Sequence, residues 1–100
     1  MMTALNARTI VGTGFPTDEG RKLAKHLLSN PPGPLDELDI DLRSCSPVLL
    51  ISAFFNGFLQ QVYESAPQML DAAKAVSWGL KHKFQQDNVA RWMQEFRPST

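Results

Sequence analysis

Apolar and polar residues alternate along residues 37–43, where Leu38, Ile40 and Leu42 fall on one side of the chain and charged residues on the other. This period of two predicts a strand with one buried face. Apolar residues then recur at positions 54, 55, 58, 59, 62 and 63, which predicts a helix with a wide apolar stripe packed on a core. A strand followed by such a helix begins a βαβ unit, so we expect the chain to be organised around this pair.

Matching elements precede this pair. The β-branched run at residues 7–12 predicts a first strand. A helix is predicted from its cap, Thr17, to Ser29, and its apolar face consists of Leu23, Ala24, Leu27 and Leu28. Prolines at positions 31, 32 and 34 end this helix because proline cannot continue it.

Matching elements also follow it. Residues 76–81 alternate between apolar and polar and predict a third strand, whose inward face continues to His82 and Phe84. A last helix, capped by Asp87 or Asn88, is predicted from apolar residues at helical spacing: Val89, Trp92, Met93 and Phe96.

The segment before the central helix leaves alternatives open. Residues 48–51 are compatible with a short strand, a buried loop, or a first helical turn with Ser46 as cap and Pro47 in first position. Ser52 is the other candidate cap for the helix predicted over residues 52–64.

The central helix contains a glycine, Gly57, which costs about 1 kcal/mol relative to alanine. That cost indicates close packing against another backbone, or simple tolerance. A break at Ala66 and Pro67 separates this helix from a short helical segment over residues 68–75.

The order β-α-β-α(-α)-β-α predicts an α/β fold with a small, mixed or mainly parallel sheet and helices packed on it, joined by right-handed crossovers. The helices cover one face of the sheet or both. One hundred residues suffice for one domain with its own core. We therefore expect a single domain over residues 1–100, with disordered ends at residues 1–6 and 98–100.

Composition and charge narrow the function. The formal net charge of zero argues against a nucleic-acid binder, which needs a basic excess to neutralise phosphates. The single cysteine, Cys45, excludes an internal disulfide, and the first six residues lack the pattern of a secretory signal. The longest apolar run, residues 48–51, is far shorter than a membrane span. We expect a soluble, cytoplasmic protein without membrane contact.

Several residue types suggest chemistry only weakly. Glu37, Asp39 and Asp41 share one strand face, as paired carboxylates in acid–base catalysis or metal binding do, but a hydrated strand face is the favoured interpretation. His26 and His82 lack a metal-ligand partner at the helical spacings. The turn at residues 12–14, Gly-Thr-Gly, lacks the third glycine and the lysine of phosphate-binding fingerprints. No catalytic residue, metal or cofactor is predicted.

Aromatic and polar side chains of the central helix suggest contacts. Trp78 and Trp92 are expected in the core, whereas Phe55 and Tyr63 flank the apolar stripe and are candidates for a partner surface. Gln60 and Gln61 are expected to be solvated.

A phosphate on Ser52 would be stabilised by the free N–H groups at the start of the central helix. An unmodified cap is the favoured interpretation of this serine.

The strand LDIDL at residues 38–42 and the segment ISAFFNGFL at residues 51–59 resemble the STAS-like domains of bacteria and phages, in which a strand leads to an "I-S/T-x-x-F-x-x-x-L" helix. The segment from Gly20 to Leu28 is similar to the "G-R-x-x-A-x-x-L" helix of that family, and residues 88–93 to its last helix, "N-x-x-V-x-x-M/W". The resemblance implies a small α/β domain that regulates by protein contact without catalysis.

The related anti-sigma-factor antagonists bind a kinase-like ATPase and are released when a serine at the start of the second helix is phosphorylated. The resemblance places that serine at or next to Ser52. The chain departs from the antagonist pattern "D-S-S/T-G-L", because residues 51–55 contain neither its acid nor its glycine.

The sequence thus predicts a non-enzymatic regulatory module with a contact surface over residues 44–55, including Ser46, Ser52, Phe54 and Phe55. One alternative is a phage or mobile-element protein that binds a host factor, or self-associates, through exposed aromatics of the central helix. Another is a small hydrolytic enzyme that uses Asp39 or Asp41.

Overall fold

The computed structural model describes residues 2–99. Three strands alternate with four helices: β1 Thr3–Asn6, α1 Pro16–Ser29, β2 Leu38–Asp41, α2 Ser52–Ser65, α3 Leu70–Lys74, β3 Ser77–Gly79 and α4 Lys83–Glu95. Single 3-10 turns lie between them at Ala7–Thr9, Leu35–Glu37, Pro47–Leu49 and Pro67–Met69. The predicted order, β-α-β-α-α-β-α, is confirmed.

The three strands form one parallel sheet in the order β1-β2-β3, with Leu5, Ile40 and Trp78 in register. Because each crossover moves the chain one strand in the same direction, right-handed connections place α1 and α2 on one side of the sheet. Burial agrees, since Ile40 and Trp78 are buried whereas Ala4 and Ser77, in the alternate positions, are exposed. The helices therefore cover one face of the sheet.

Helix α2 lies at the centre of the core. Its aromatic residues Phe54, Phe55 and Phe58 have no exposed surface. The ring centroid of Phe55 lies 5.2 Å from that of Trp78 and 5.9 Å from that of Trp92, at the separations typical of packed aromatic pairs. Trp78 therefore belongs to the aromatic core, as predicted, whereas Trp92 is half-buried and packs against it.

Helices α1 and α2 approach so closely that their glycines face backbone rather than side chains. A Cβ atom on Gly20 would overlap the carbonyl oxygen of Phe54, and one on Gly57 would overlap the carbonyl oxygen of Thr17. Close backbone packing, the first of the two interpretations of Gly57, is confirmed.

The first strand lies earlier in the chain than the sequence pattern indicated. Residues 7–12 are not a strand, because the Asn6 side chain accepts the N–H of Arg8 at 3.0 Å and starts a 3-10 turn. The disorder expected for residues 1–6 is wrong for Thr3–Asn6, which pair with β2; Met1 lies outside the described residues.

The predicted caps Thr17 and Ser52 are also wrong, whereas Ser46 does cap a turn with Pro47 in first position, although that turn is separate from α2. Helix α1 begins at Pro16, so Thr17 lies inside its first turn. Helix α2 begins at Ser52 itself, with Ile51 in the N-cap position, whereas Ser46 and Pro47 start a separate 3-10 turn.

The last helix begins well before the predicted cap. His82 is its N-cap, and the backbone N–H of His82 donates to Oε1 of Gln85 at 3.1 Å, so neither Asp87 nor Asn88 caps it. His82 and Phe84 consequently do not extend the third strand, and the Phe84 side chain is exposed.

Ser99 is bound to helix α2 through Gln60. The Gln60 side chain accepts the N–H of Ser99 and donates to its carbonyl oxygen, each at 2.9 Å. The disorder expected for residues 98–100 is therefore wrong for Ser99, and Thr100 lies outside the described residues. Gln60 and Gln61 are buried rather than solvated, and Gln61 bonds to Arg21 and Ser65.

Candidate functional site

The connections that follow the three strands meet at the carboxyl edge of the sheet. They comprise residues 7–15 after β1, 42–51 after β2 and 80–82 after β3. In open parallel sheets, ligands bind outside the carboxyl ends of the strands, at a point where the strand order reverses. The order β1-β2-β3 contains no reversal, so this edge is a candidate only because the three connections lie there. We therefore take this edge as the candidate site.

A cavity of about 480 Å³ lies between these connections. Each connection contributes one cation to its lining, and we call the cavity between Arg8, Arg43 and Lys81 the basic groove. The hydroxyl-bearing residues Thr13, Ser44 and Ser46 also line it.

The cations of the basic groove differ in how they are neutralised. The Nε of Arg43 lies 3.0 Å from Oδ1 of Asp41, and hydrogen bonds from the backbone and side chain of Arg43 lower the pKa of that carboxyl. Arg8 donates from Nη1 to the carbonyl oxygen of Ser44 at 2.7 Å, which ties the first connection to the second. Neither Arg8 nor Lys81 has a carboxylate within 4.0 Å among residues 2–99. The groove therefore keeps a positive charge.

Cys45 also lines the groove, but only 8% of the residue is exposed. Burial raises the pKa of its thiol. The thiol therefore stays protonated at neutral pH, which is unfavourable for a nucleophile.

The turn formed by Gly12 and Gly14 binds an anion that belongs to the chain itself. The backbone N–H groups of Gly12 and Gly14 donate to the two carboxylate oxygens of Glu19 at 2.7 and 3.1 Å, and Nζ of Lys22 lies 2.7 Å from Oε1. Glu19 is buried, and the hydrogen bond from Lys22 lowers the pKa of its carboxyl, with help from the two glycine amides. Sequence reasoning missed this contact, although an acid in the first turn of the helix after Gly-x-Gly is its signal.

Replacing Glu19 with glutamine is expected to lower the free energy of unfolding by about 1–3 kcal/mol at neutral pH. The reason is that glutamine turns an N–H donor toward an amide that needs an acceptor. Because the folded pKa of Glu19 lies below the ordinary 4.5, its stabilisation is present above that pH and is lost as the pH falls below it. Urea unfolding at neutral pH and at about pH 3 should show the difference between wild type and Glu19→Gln shrinking in acid.

Glu95→Gln is the matched control, since the Glu95 side chain is 67% exposed and lies 4.0 Å from Arg91. It should change the unfolding free energy by less than about 0.5 kcal/mol at either pH. An equal effect of the two substitutions would contradict a special role for the Glu19 carboxylate.

The residues predicted for the contact surface occupy different environments. Ser46 is exposed beside the basic groove, and Ser52 is half-buried at the start of α2, where it lines a different cavity of about 620 Å³ between α1, α2 and the end of α4. Phe54 and Phe55 are fully buried in the core, so they are unavailable to a partner. The sequence pattern placed Phe55 at the flank of the apolar stripe of α2, but that flank is also buried.

Exposed aromatics on α2 are likewise not found among the described residues. Phe58 is buried and Tyr63 is half-buried. The exposed aromatics expected on this helix are therefore absent from the described residues, whereas self-association itself stays a prediction.

Three of the five large apolar side chains exposed in the described residues lie in the connections that precede α1 and α2. Phe15 is 79% exposed, Val48 is 74% exposed and Ile51 is 45% exposed. We call these three residues the apolar rim. The contact surface predicted over residues 44–55 includes Val48 and Ile51, whereas Phe15 was missed because it lies between the periodic segments.

The other candidate groups do not assemble into a site. Asp39 and Asp41 lie on the sheet face opposite the helices, and His26 lies in α1. Within residues 2–99, no group of three His, Cys, Asp or Glu side chains is arranged to hold a metal ion.

Comparison of the chain with protein-family models, curated proteins and solved structures finds no match. Over the described residues, no helix has the length and apolar character needed to cross a membrane.

Proposed function

We propose that this protein is a non-enzymatic regulatory module that binds a partner protein through the apolar rim. The observation that carries the proposal is the position of the rim. Phe15 and Ile51 occupy the N-cap positions of α1 and α2, and neither helix has a side-chain cap hydrogen bond.

Apolar N-caps weaken a fold. Serine, threonine, aspartate and asparagine are preferred there because their side chains accept a free N–H of the first turn, which is worth about 1 kcal/mol per helix. Most of the Phe15 surface is exposed to water, so its burial contributes little stability to offset the missing cap hydrogen bond. A residue that costs stability and is exposed is best explained by a contact with another molecule.

The residues around the apolar rim indicate which kind of partner surface would bind it. In the chain, Val48 of the rim lies between Pro47 and Leu49, and both of these line the basic groove. Arg8 and Lys81 of that groove lack a carboxylate partner in the described part of the chain. A partner surface with apolar side chains flanked by acidic ones complements both features. The resemblance to STAS-like domains adds a partner class, a kinase-like ATPase, and adds Ser52 as the position whose phosphorylation releases it.

We expect Phe15→Ser to stabilise the isolated domain and to weaken partner binding. Serine before Pro16 supplies the missing cap, so the free energy of unfolding should rise by about 1 kcal/mol. Loss of a largely exposed ring should remove an apolar anchor from the interface. Urea unfolding and quantitative capture of partners from the native lysate measure the two effects.

Met2→Ser is the matched control for binding, because Met2 is 49% exposed but lies before β1, at the opposite edge of the sheet. Capture of an ATPase by the wild type and Met2→Ser, and its loss in Phe15→Ser and Val48→Ser, is the expected pattern. Identical capture by all four proteins would contradict the proposal that the apolar rim binds the partner. The same assay with Ser52→Asp tests the phosphorylation switch, which unchanged capture would exclude.

A further inference from the structure

We propose that the basic groove binds the phosphate monoester of a small polyol. This site uses none of the three residues of the apolar rim, although the acidic side chains of the proposed partner would contact the same groove. Its titration is made on the isolated protein without a partner, so its failure is distinguishable from the failure of the proposed function. Three features of the groove favour a phosphate ligand: its positive charge, the fixed position of its two arginines and its volume.

The charge comes from all three strand connections. Arg8, Arg43 and Lys81 face one cavity although they are far apart in the chain. Only Arg43 is balanced by a carboxylate, that of Asp41, among the described residues. A phosphate dianion would neutralise the charge that remains on Arg8 and Lys81.

The two arginines are held in position before any ligand arrives. Arg8 is anchored by its bond to the Ser44 carbonyl oxygen, and Arg43 by its bonds to Asp41. Each guanidinium keeps further N–H donors, whose planar arrangement suits phosphate oxygens. Lys81 adds a point charge, and the hydroxyl groups lining the groove add neutral donors.

The alternative place for an anion, the turn at Gly12 and Gly14, is taken. Its N–H groups already donate to Glu19, whose charge is further paired with Lys22. A phosphate must therefore be held by the side chains of the basic groove rather than by that turn.

The size of the groove indicates more than a free ion. Its volume of about 480 Å³ falls within the range of small-molecule sites, roughly 300–1,000 Å³. Val11 and Leu49 supply a small apolar wall, and none of the described residues that line the groove is aromatic. This lining suits a polyol body better than a nucleobase, which needs a stacking partner.

The test is a titration of the labelled protein, followed by the amide resonances of Thr13, Ser44 and Lys81 at constant ionic strength. The probes are ribose 5-phosphate, inorganic phosphate and ribose. We expect saturable shifts with ribose 5-phosphate, weaker binding of inorganic phosphate and no binding of ribose. Absence of saturable shifts with ribose 5-phosphate, or equal affinity for inorganic phosphate, would overturn the proposal.

Lys81→Gln and Lys83→Gln form the matched pair of variants. Lys83 lies two positions away, is well exposed and pairs with Asp87 outside the groove. Loss of one charged hydrogen bond predicts that Lys81→Gln weakens binding about tenfold. Lys83→Gln should leave the affinity within about twofold, since it removes only a distant, screened charge. An equal loss of affinity in the two variants would show that binding depends only on the overall charge of the protein, and it would overturn the proposed site.

Discussion

Replacing Gly20 with alanine is expected to lower the free energy of unfolding by about 3 kcal/mol. The added methyl group would overlap the carbonyl oxygen of Phe54, which belongs to the backbone of α2 and cannot rotate away. The two helices would have to separate, and the core beneath them would loosen. If α2 did not lie against Gly20, alanine would instead stabilise the helix by about 1 kcal/mol. The sign of the change in unfolding free energy therefore shows whether the two helices are in contact. Urea unfolding followed by circular dichroism measures it.

Gly33→Ala is the matched control. Gly33 lies in the loop after α1 with only the Thr3 hydroxyl nearby, at 3.5 Å from an added Cβ. It should be neutral or should stabilise by up to about 1 kcal/mol, because alanine restricts the unfolded chain. Stabilisation by Gly20→Ala would contradict the close approach of α1 and α2.

Phe55→Ala is expected to lower the free energy of unfolding by about 3–5 kcal/mol, the range for removing a buried aromatic side chain. The ring has no exposed surface and its centroid lies 5.1 Å from that of Phe54 and 5.2 Å from that of Trp78. Alanine would leave a cavity where α2 meets the sheet. Since small domains are stable by about 5–15 kcal/mol, much of the protein would unfold at moderate urea concentrations.

Phe84→Ala provides the comparison, because the Phe84 side chain is 63% exposed and its only aromatic neighbour among the described residues is His82. It should change the unfolding free energy by less than about 0.5 kcal/mol. Equal effects of the two substitutions would contradict the central place of Phe55. Partner capture measured on folded Phe55→Ala should match the wild type, since this residue lies beneath the surface.

Local periodicity was enough to predict the order of elements and a small sheet that is mixed or mainly parallel, and the observed sheet is fully parallel. The alternation around Ile40 and the stripe on α2 both reflect one buried face, and each is visible within a few residues. The first strand was misplaced because β1 has only four residues and none is fully buried. Its stability comes from pairing with β2, which no local pattern encodes.

The candidate site was harder to predict because it, too, depends on contacts between distant parts of the chain. Arg8, Arg43 and Lys81 come from three separate connections, and a net charge of zero conceals their meeting at one edge. Ser46, predicted as a partner contact, is exposed and lines the basic groove, whereas Phe54 and Phe55, predicted for the same surface, are buried. The stripe of α2 marks which residues are apolar, but whether a second helix covers its flank depends on the close approach at Gly20 and Gly57.

That approach has a consequence for recognition. Because each glycine lies against the backbone of the other helix, α1 and α2 cannot slide past one another without a clash. Phe15 and Ile51, at the starts of these helices, are consequently carried on one rigid body with a fixed backbone separation. A partner that docks on both has little backbone entropy to remove from this domain, so most of the ordering cost of binding falls on the partner and on the rim side chains.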